Sequence, residues 1–207
     1  MKYIIATVRI LFLALFLFLV AKGKMMLWLA LFGVSLIAAV IFGRVYCGYV
    51  CPMNTVMVPA EWISKKLHWN TDRSPKWLAK EKFGWFALAA SMAVMLYAKR
   101  ALNKNVPILL IWMGIAILLT LRYKPAVFHN HICPFGILQK ELGRFAKFSN
   151  KTDKEKCIGC KLCEKVCPSE SIEVKTTEIK AEISKAYCFQ CANCQQVCPA
   201  DCIHYSG

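Results

Sequence analysis

The sequence predicts a membrane α-helical domain of four transmembrane helices with a two-fold internal repeat, followed by a small cysteine-rich α+β domain. Three observations predict it: four long apolar runs, a Cys-Pro loop that recurs at a fixed spacing, and eight cysteines set in two matching patterns near the end. The proposed division is residues 1–148 for the helical domain and 149–207 for the cysteine domain.

Composition comes first. Of 207 residues, 57% are hydrophobic and only 19% are charged, which is too apolar for an ordinary soluble domain of this length. The formal charge is +15, from 27 Lys and Arg against 12 Asp and Glu. Basic loops beside transmembrane helices account for that excess, so membrane lipid rather than nucleic acid is the expected partner.

The apolar runs are residues 4–21, 25–42, 83–98 and 106–121. Each is near the roughly 17 to 25 residues that a helix needs to cross a bilayer. The last two are short, and Trp85, Tyr97, Trp112 and Tyr123 are candidate interfacial anchors. Arg9 interrupts the first run and "LVAKGK" lacks a small-x-small cleavage pattern, so this run reads as a retained helix rather than a signal peptide.

Four crossings put both termini on one side. The two short hairpins hold Lys22, Lys24, Lys99, Arg100 and Lys104, whereas the middle loop alone holds Arg44, Lys65, Lys66, Arg73, Lys76, Lys80 and Lys82. The positive-inside rule then makes the chain a multi-pass protein of the inner (cytoplasmic) membrane, with both termini and the cysteine domain in the cytoplasm. A reducing compartment suits thiolate ligands.

A shift of 82 residues lays Cys51-Pro52 on Cys133-Pro134 and the second apolar run on the fourth. Each unit reads helix, helix, cysteine loop, then a basic amphipathic stretch. In the first stretch Val56, Ala60, Ile63 and Leu67 share a predicted helical face, and in the second Leu138, Leu142 and Phe145 do. Both stretches are expected on the cytoplasmic membrane surface. Trp62, Trp69 and Trp77 read as an interfacial belt more readily than as a quinone pocket, and His68 and His204 as solvated surface residues.

The strongest chemical signal is "CIGCKLCEKVCP", which recurs as "CFQCANCQQVCP". In such a run three thiolates wrap one 4Fe-4S cubane and the fourth reaches across to the other. Cluster one should take Cys157, Cys160, Cys163 and Cys198, and cluster two Cys188, Cys191, Cys194 and Cys167. A zinc ribbon would want two cysteines per run rather than four with a trailing Pro. The link "SIEVKTTEIKAEISKAY" alternates as a short hairpin would, giving a bacterial-type two-cluster ferredoxin domain held folded by its clusters. Cys202 is left over and reads as a spare buried thiol.

With "GRVYCGYVCPMNTV" after the second apolar run, a second Cys-Pro loop after the fourth and twin ferredoxin runs, the chain resembles the membrane-bound polyferredoxins of the NapH type. Domains of the NosR and CcoG types share the plan. The resemblance implies electron transfer between the quinone pool and a partner redox protein or respiratory complex subunits, with the chain as an electron-transfer component rather than a stand-alone enzyme. It leaves the terminal acceptor open.

The family pattern has two Cys-x3-Cys-Pro motifs, and this chain keeps the first at Cys47 and Cys51, while the second reads His129-x3-Cys133-Pro134. The four side chains make a plausible ligand set for a third cluster or a metal ion, since His replaces Cys on iron in Rieske centres and zinc or copper accepts the same donors. The other reading makes these thiols structural or redox-active without metal. His131 competes with His129, which the 82-residue shift favours. Arg44, Arg122 and Lys124 are candidates for a lipid head group or a quinone oxygen. Two further functions stay open: a metal-handling or maturation factor for a respiratory metalloenzyme, and a redox sensor.

Overall fold

The computed structural model describes residues 2–69, 71, 82–101, 106–175 and 179–207. Arg73, Trp77, Lys76, Lys80 and Lys104 of the sequence reading lie outside the described residues. The chain divides into two compact units, residues 1–29 with 50–138 and residues 30–49 with 139–207.

The helices are α1 (Lys2–Ala21), α2 (Met25–Phe42), α3 (Pro52–Lys66), α4 (Lys82–Ala101), α5 (Ile108–Arg122), the short α6 (Pro125–Val127), α7 (Pro134–Gly143), α8 (Leu162–Lys165) and α9 (Asn193–Val197). Two π turns stand among them, Tyr46–Val50 and Phe128–Ile132. By length and composition α1 and α2 can cross a membrane, and only 11% and 17% of their spans are buried within the protein. Most of the apolar surface of these two helices therefore faces outward. Helix α5 is apolar but has 15 residues, or roughly 22 Å of rise, and α4 is longer and less apolar.

In the first unit, Phe16 of α1 and Trp28 are both almost fully buried and meet edge to face at 5.1 Å. The buried face of α4 is a stripe of small residues, Gly84, Ala87, Ser91 and Ala98, which lets neighbouring backbone approach closely. Ser64 of α3 donates to the Leu121 carbonyl at 2.7 Å, and Trp112 of α5 donates to Ser91 of α4 at 2.9 Å. These bonds satisfy polar groups that would otherwise be costly in an apolar bundle.

Helix α3 packs one face and exposes another. Its buried face is Met53, Met57, Ala60 and Ser64, whereas Ile63 and Leu67 are exposed and Val56 is half-buried. Ser64 enters the packed face by bonding a carbonyl. Around α7, Ile137, Gln139 and Lys140 are buried while Phe145, beyond its end, is 69% exposed. His68 sits at φ 54° just past α3, where Trp69 N–H donates to the Ser64 carbonyl, so it ends the helix as a left-handed cap while remaining exposed.

In the second unit, β1 (Ser149–Thr152) pairs antiparallel with β4 (Ile203–Ser206), and β2 (Ile172–Val174) with β3 (Ala181–Ile183). The expected hairpin is β2–β3. The β1–β4 ladder was not foreseen, since each strand is short and carries polar residues. Ile172, Val174, Ala181 and Ile203 form a small core with the cysteines. The end of α2 joins this unit: the Val40 and Ile41 carbonyls accept from Lys147 and Phe148 N–H, and Tyr205 donates to the Phe42 carbonyl at 3.2 Å.

Candidate iron-sulfur sites

The two cysteine runs repeat at a shift of 31 residues, and the backbone repeats with them. Gly159, Lys161 and Glu170 have φ of 68°, 61° and 49°, and their counterparts Gln190, Ala192 and Asp201 have φ of 56°, 57° and 44°. Left-handed residues at these points let the chain turn tightly around each group of thiols. Lys161 and Ala192 stand immediately before α8 and α9, which carry the third thiol of each run, Cys163 and Cys194.

Gly159 must be glycine. A Cβ there would lie 2.2 Å from the Ile179 carbonyl oxygen and 2.4 Å from its Cγ2. Gln190 tolerates a side chain at the matching position because that side chain is used: it donates to Ser149 Oγ at 2.9 Å and accepts from Asn150 N–H at 3.0 Å.

Two cavities open between the runs. One is lined by Cys157, Cys160, Cys163, Cys198 and Cys202, and the other by Cys167, Cys188, Cys191 and Cys194. Each thus gathers three thiols of one run with the fourth of the other. Burial pushes the Cys194 thiol up to about 12, and the neighbouring Cys188, Cys191 and Cys167 add to the rise. Burial also raises Cys188, against hydrogen bonds from the Gln190 backbone and Asn150. Four thiolates crowded this way need positive charge among them, which iron supplies. Among the described residues no three Cys, His, Asp or Glu side chains converge as ligands of a single ion. Thiols spread around a cavity fit a cubane, whose irons lie at its corners.

Sulfur also receives hydrogen bonds from residues that spacing alone does not reveal. Cys167 Sγ accepts from Ser171 N–H at 3.3 Å and lies 3.3 Å from Ser171 Oγ and 3.5 Å from Ser169 Oγ. Asn150 Nδ2 lies 3.7 Å from Cys188 Sγ and its Oδ1 accepts from Gln195. Asn150 was invisible in the sequence because it comes from β1, outside the cysteine runs.

Cys47, in the first π turn, belongs to the same unit as the cysteine domain. Its turn lies directly on residues 186–190: a Cβ on Gly48 would meet the Phe189 carbonyl at 2.2 Å, and Tyr49 donates to the Gln190 carbonyl at 2.9 Å. Arg44 is fully buried, with its guanidinium 4.9 Å from the Phe189 ring centre, Nη1 3.4 Å from the Ala186 carbonyl and Nη2 3.8 Å from Cys47 Sγ. Burial raises the Cys47 thiol and the Arg44 charge opposes it. The expectation of a lipid head group at Arg44 is corrected by its full burial. Arg122 donates to the Trp69 carbonyl and to Thr71 Oγ1, at an exposed position.

Cys51, His129 and Cys133 belong to the first unit, and all three are buried. Cys133 Sγ accepts from Gly136 N–H at 3.3 Å, and a Cβ on Gly136 would meet the His129 carbonyl at 2.3 Å. His131 is half-buried. Cys51 and Cys133 occupy matching positions: each follows a π turn, precedes a Pro that opens a helix, and has extended backbone, with φ and ψ of −64° and 117° at Cys51 and −63° and 119° at Cys133.

A groove of about 290 Å³ in the second unit is lined by Val45, Tyr49, Asn150, Gln190, Ala192, Gln195 and Tyr205. Its polar groups are amides and phenols without formal charge, and Asn150 links it to Cys188.

Comparison with known proteins agrees with this chemistry. The 4Fe-4S binding domain family matches residues 24–70 and again 105–152, and the 4Fe-4S dicluster domain family matches 156–202. An uncharacterized protein of Methanocaldococcus jannaschii is 30% identical over 70% of this chain and 58% of its own length. The methylamine utilization ferredoxin-type protein MauN of Methylobacillus flagellatus is 27% identical over 77% of this chain and 62% of its own. For MauN of Paracoccus denitrificans the figures are 26%, 68% and 54%. The chain therefore spans about three-fifths of these relatives. No solved structure matches it. The chain carries 4Fe-4S ferredoxin-type domains and is homologous to the MauN ferredoxin-type proteins.

Proposed function

We propose that this iron-sulfur electron-transfer protein is a membrane-anchored subunit passing electrons between the quinone pool and a partner redox protein. The observation that carries the reading is the pair of cavities, each lined by three thiols of one run and the fourth of the other. Cys157, Cys160, Cys163 and Cys198 would hold one 4Fe-4S cluster, and Cys188, Cys191, Cys194 and Cys167 the second. Such clusters, when bound, accept and release single electrons. The chain's own residues bury Cys157, Cys163, Cys188, Cys191 and Cys194, leave Cys160 exposed, and donate hydrogen bonds to the sulfurs of Cys167 and Cys188. No proton-abstracting or nucleophilic role is assigned.

Membrane anchoring is supported by α1 and α2. We extend it to four crossings in a two-fold repeat, residues 1–148, with both termini and residues 149–207 in the cytoplasm. The matching Cys51 and Cys133 geometry and the double match of one domain family support the repeat. Placement of quinone at the chain is supported by the uncharged groove beside Cys188. A closer kinship to NapH-type proteins, and a third cluster or metal ion on Cys47, Cys51, His129 and Cys133, rest on the sequence motifs alone.

Anaerobic purification from membranes, with iron and sulfide analysis, tests the reading. About eight irons are expected for two cubanes, and near twelve if a third is held. Fewer than four would end the cluster assignment, and clusters that a quinol analogue cannot reduce in membranes would end the quinone assignment.

A further inference from the structure

The shift of 31 residues that carries Cys167 onto Cys198 also carries Ser169 onto Ala200 and Ser171 onto Cys202. The geometry is repeated while the chemistry is not. Ser171 N–H donates to Cys167 Sγ at 3.3 Å, and Cys202 N–H donates to Cys198 Sγ at 3.5 Å. The side chains follow: Ser171 Oγ is 3.3 Å from Cys167 Sγ, and Cys202 Sγ is 3.4 Å from Cys198 Sγ. Cys167 has a second hydroxyl, Ser169 Oγ at 3.5 Å, where Cys198 has the methyl group of Ala200.

Cys202 is therefore not a stray thiol. It occupies the position of a hydrogen-bond donor to a cluster sulfur, buried at 2% exposure in the wall of the cavity it shares with Cys157, Cys160, Cys163 and Cys198. A hydroxyl is a stronger donor than a thiol. Reduction adds one electron to a cluster and places negative charge on its sulfurs, so a donor aimed at a ligating sulfur favours the reduced form. The stronger the donor, the higher the potential.

We infer that Ser171 and Cys202 are matched tuning positions, which set the potentials of the two clusters apart by offering a hydroxyl to Cys167 Sγ and only a thiol to Cys198 Sγ. Ser169 reinforces the difference. In the half-reduced protein these donors draw the electron toward the Cys167 cluster: the Cys198 cluster is oxidised by one electron as the other is reduced by one. Exposure of Cys160 at the first cavity favours the reduced form there, in the opposite direction. The inference is consequently read from what each substitution moves rather than from the gap itself. It rests on the two-cluster assignment above.

The test is an EPR-monitored redox titration of the anaerobically purified full chain and of two variants, each with its iron content. Ser171→Ala should lower one of the two midpoint potentials, and Cys202→Ser should raise the other. Each should change the reduced-to-oxidised ratio of its cluster at fixed potential by about fivefold, with about eight irons retained. If Ser171→Ala loses iron, Ser169→Ala, which removes only the longer contact, should lower the same potential by less. The inference is overturned if the variants hold their iron and neither potential moves, or if both variants move the same one. Wild-type protein with clearly fewer than about eight irons would instead overturn the two-cluster assignment.

Discussion

Replacing Gly159 with Ala should cost the first cluster its site while leaving the second in place. Two terms add. The residue sits at φ 68°, where a Cβ costs about 1–2 kcal/mol. That Cβ would also stand 2.2 Å from the Ile179 carbonyl oxygen and 2.4 Å from Ile179 Cγ2. Ordinary contact begins near 3.4 Å, so the Ile179 backbone must retreat by more than 1 Å. Overpacking of this kind costs about 1–3 kcal/mol more. The sum, about 2–5 kcal/mol, is comparable with what a small cysteine domain has to spare. The assay is iron content with visible absorbance of the anaerobically purified variant. Iron should fall from about eight toward about four per chain, and Gln190→Gly at the matching position should not produce that loss. If Gly159→Ala keeps its full iron and bleaches no faster than wild type in denaturant, the close approach to Ile179 does not constrain the loop.

Three further outcomes follow from other parts of the molecule. Arg44→Met keeps volume but removes the buried cation over Phe189 and its contacts to Ala186 and Cys47; it should destabilise the second unit by about 1–3 kcal/mol in chemical denaturation. Ser64→Ala deletes the 2.7 Å bond to the Leu121 carbonyl and should lower helix stability in detergent by about 1–2 kcal/mol, with iron content unchanged. Stripping the clusters with a chelator and oxidant should abolish β1–β4 and β2–β3 protection in hydrogen exchange while leaving most of the helical circular dichroism, because the short strands have little core besides the cysteines. Retained strand protection would mean that the cysteine domain folds without metal.

What could be read from the sequence was whatever had a fixed period. The cysteine runs pointed to which thiols line a cavity together, because two close spacings and one long one leave few ways to wrap a cubane. Alternation revealed β2–β3. Long apolar runs revealed α1 and α2. What sequence hides is a polar side chain buried for a reason outside its own segment: Ser64 reaches a carbonyl of α5, and Arg44 lies on Phe189. Asn150 bonds a thiol 38 residues away. Patterns of hydrophobicity treat all three as surface residues. The π turns were equally hidden, since no local composition separates them from the helices beside them.

Those two π turns carry a consequence for how the protein tolerates change. A π turn is wider than an α turn and holds one residue beyond what α geometry takes. Loss of one residue from Tyr46–Val50 or Phe128–Ile132 is taken up by closing that turn to α geometry. The corner that follows each of them has no such reserve: Cys51 and Cys133 are single extended residues locked against the Pro that opens the next helix, so a residue lost or gained there turns that helix away.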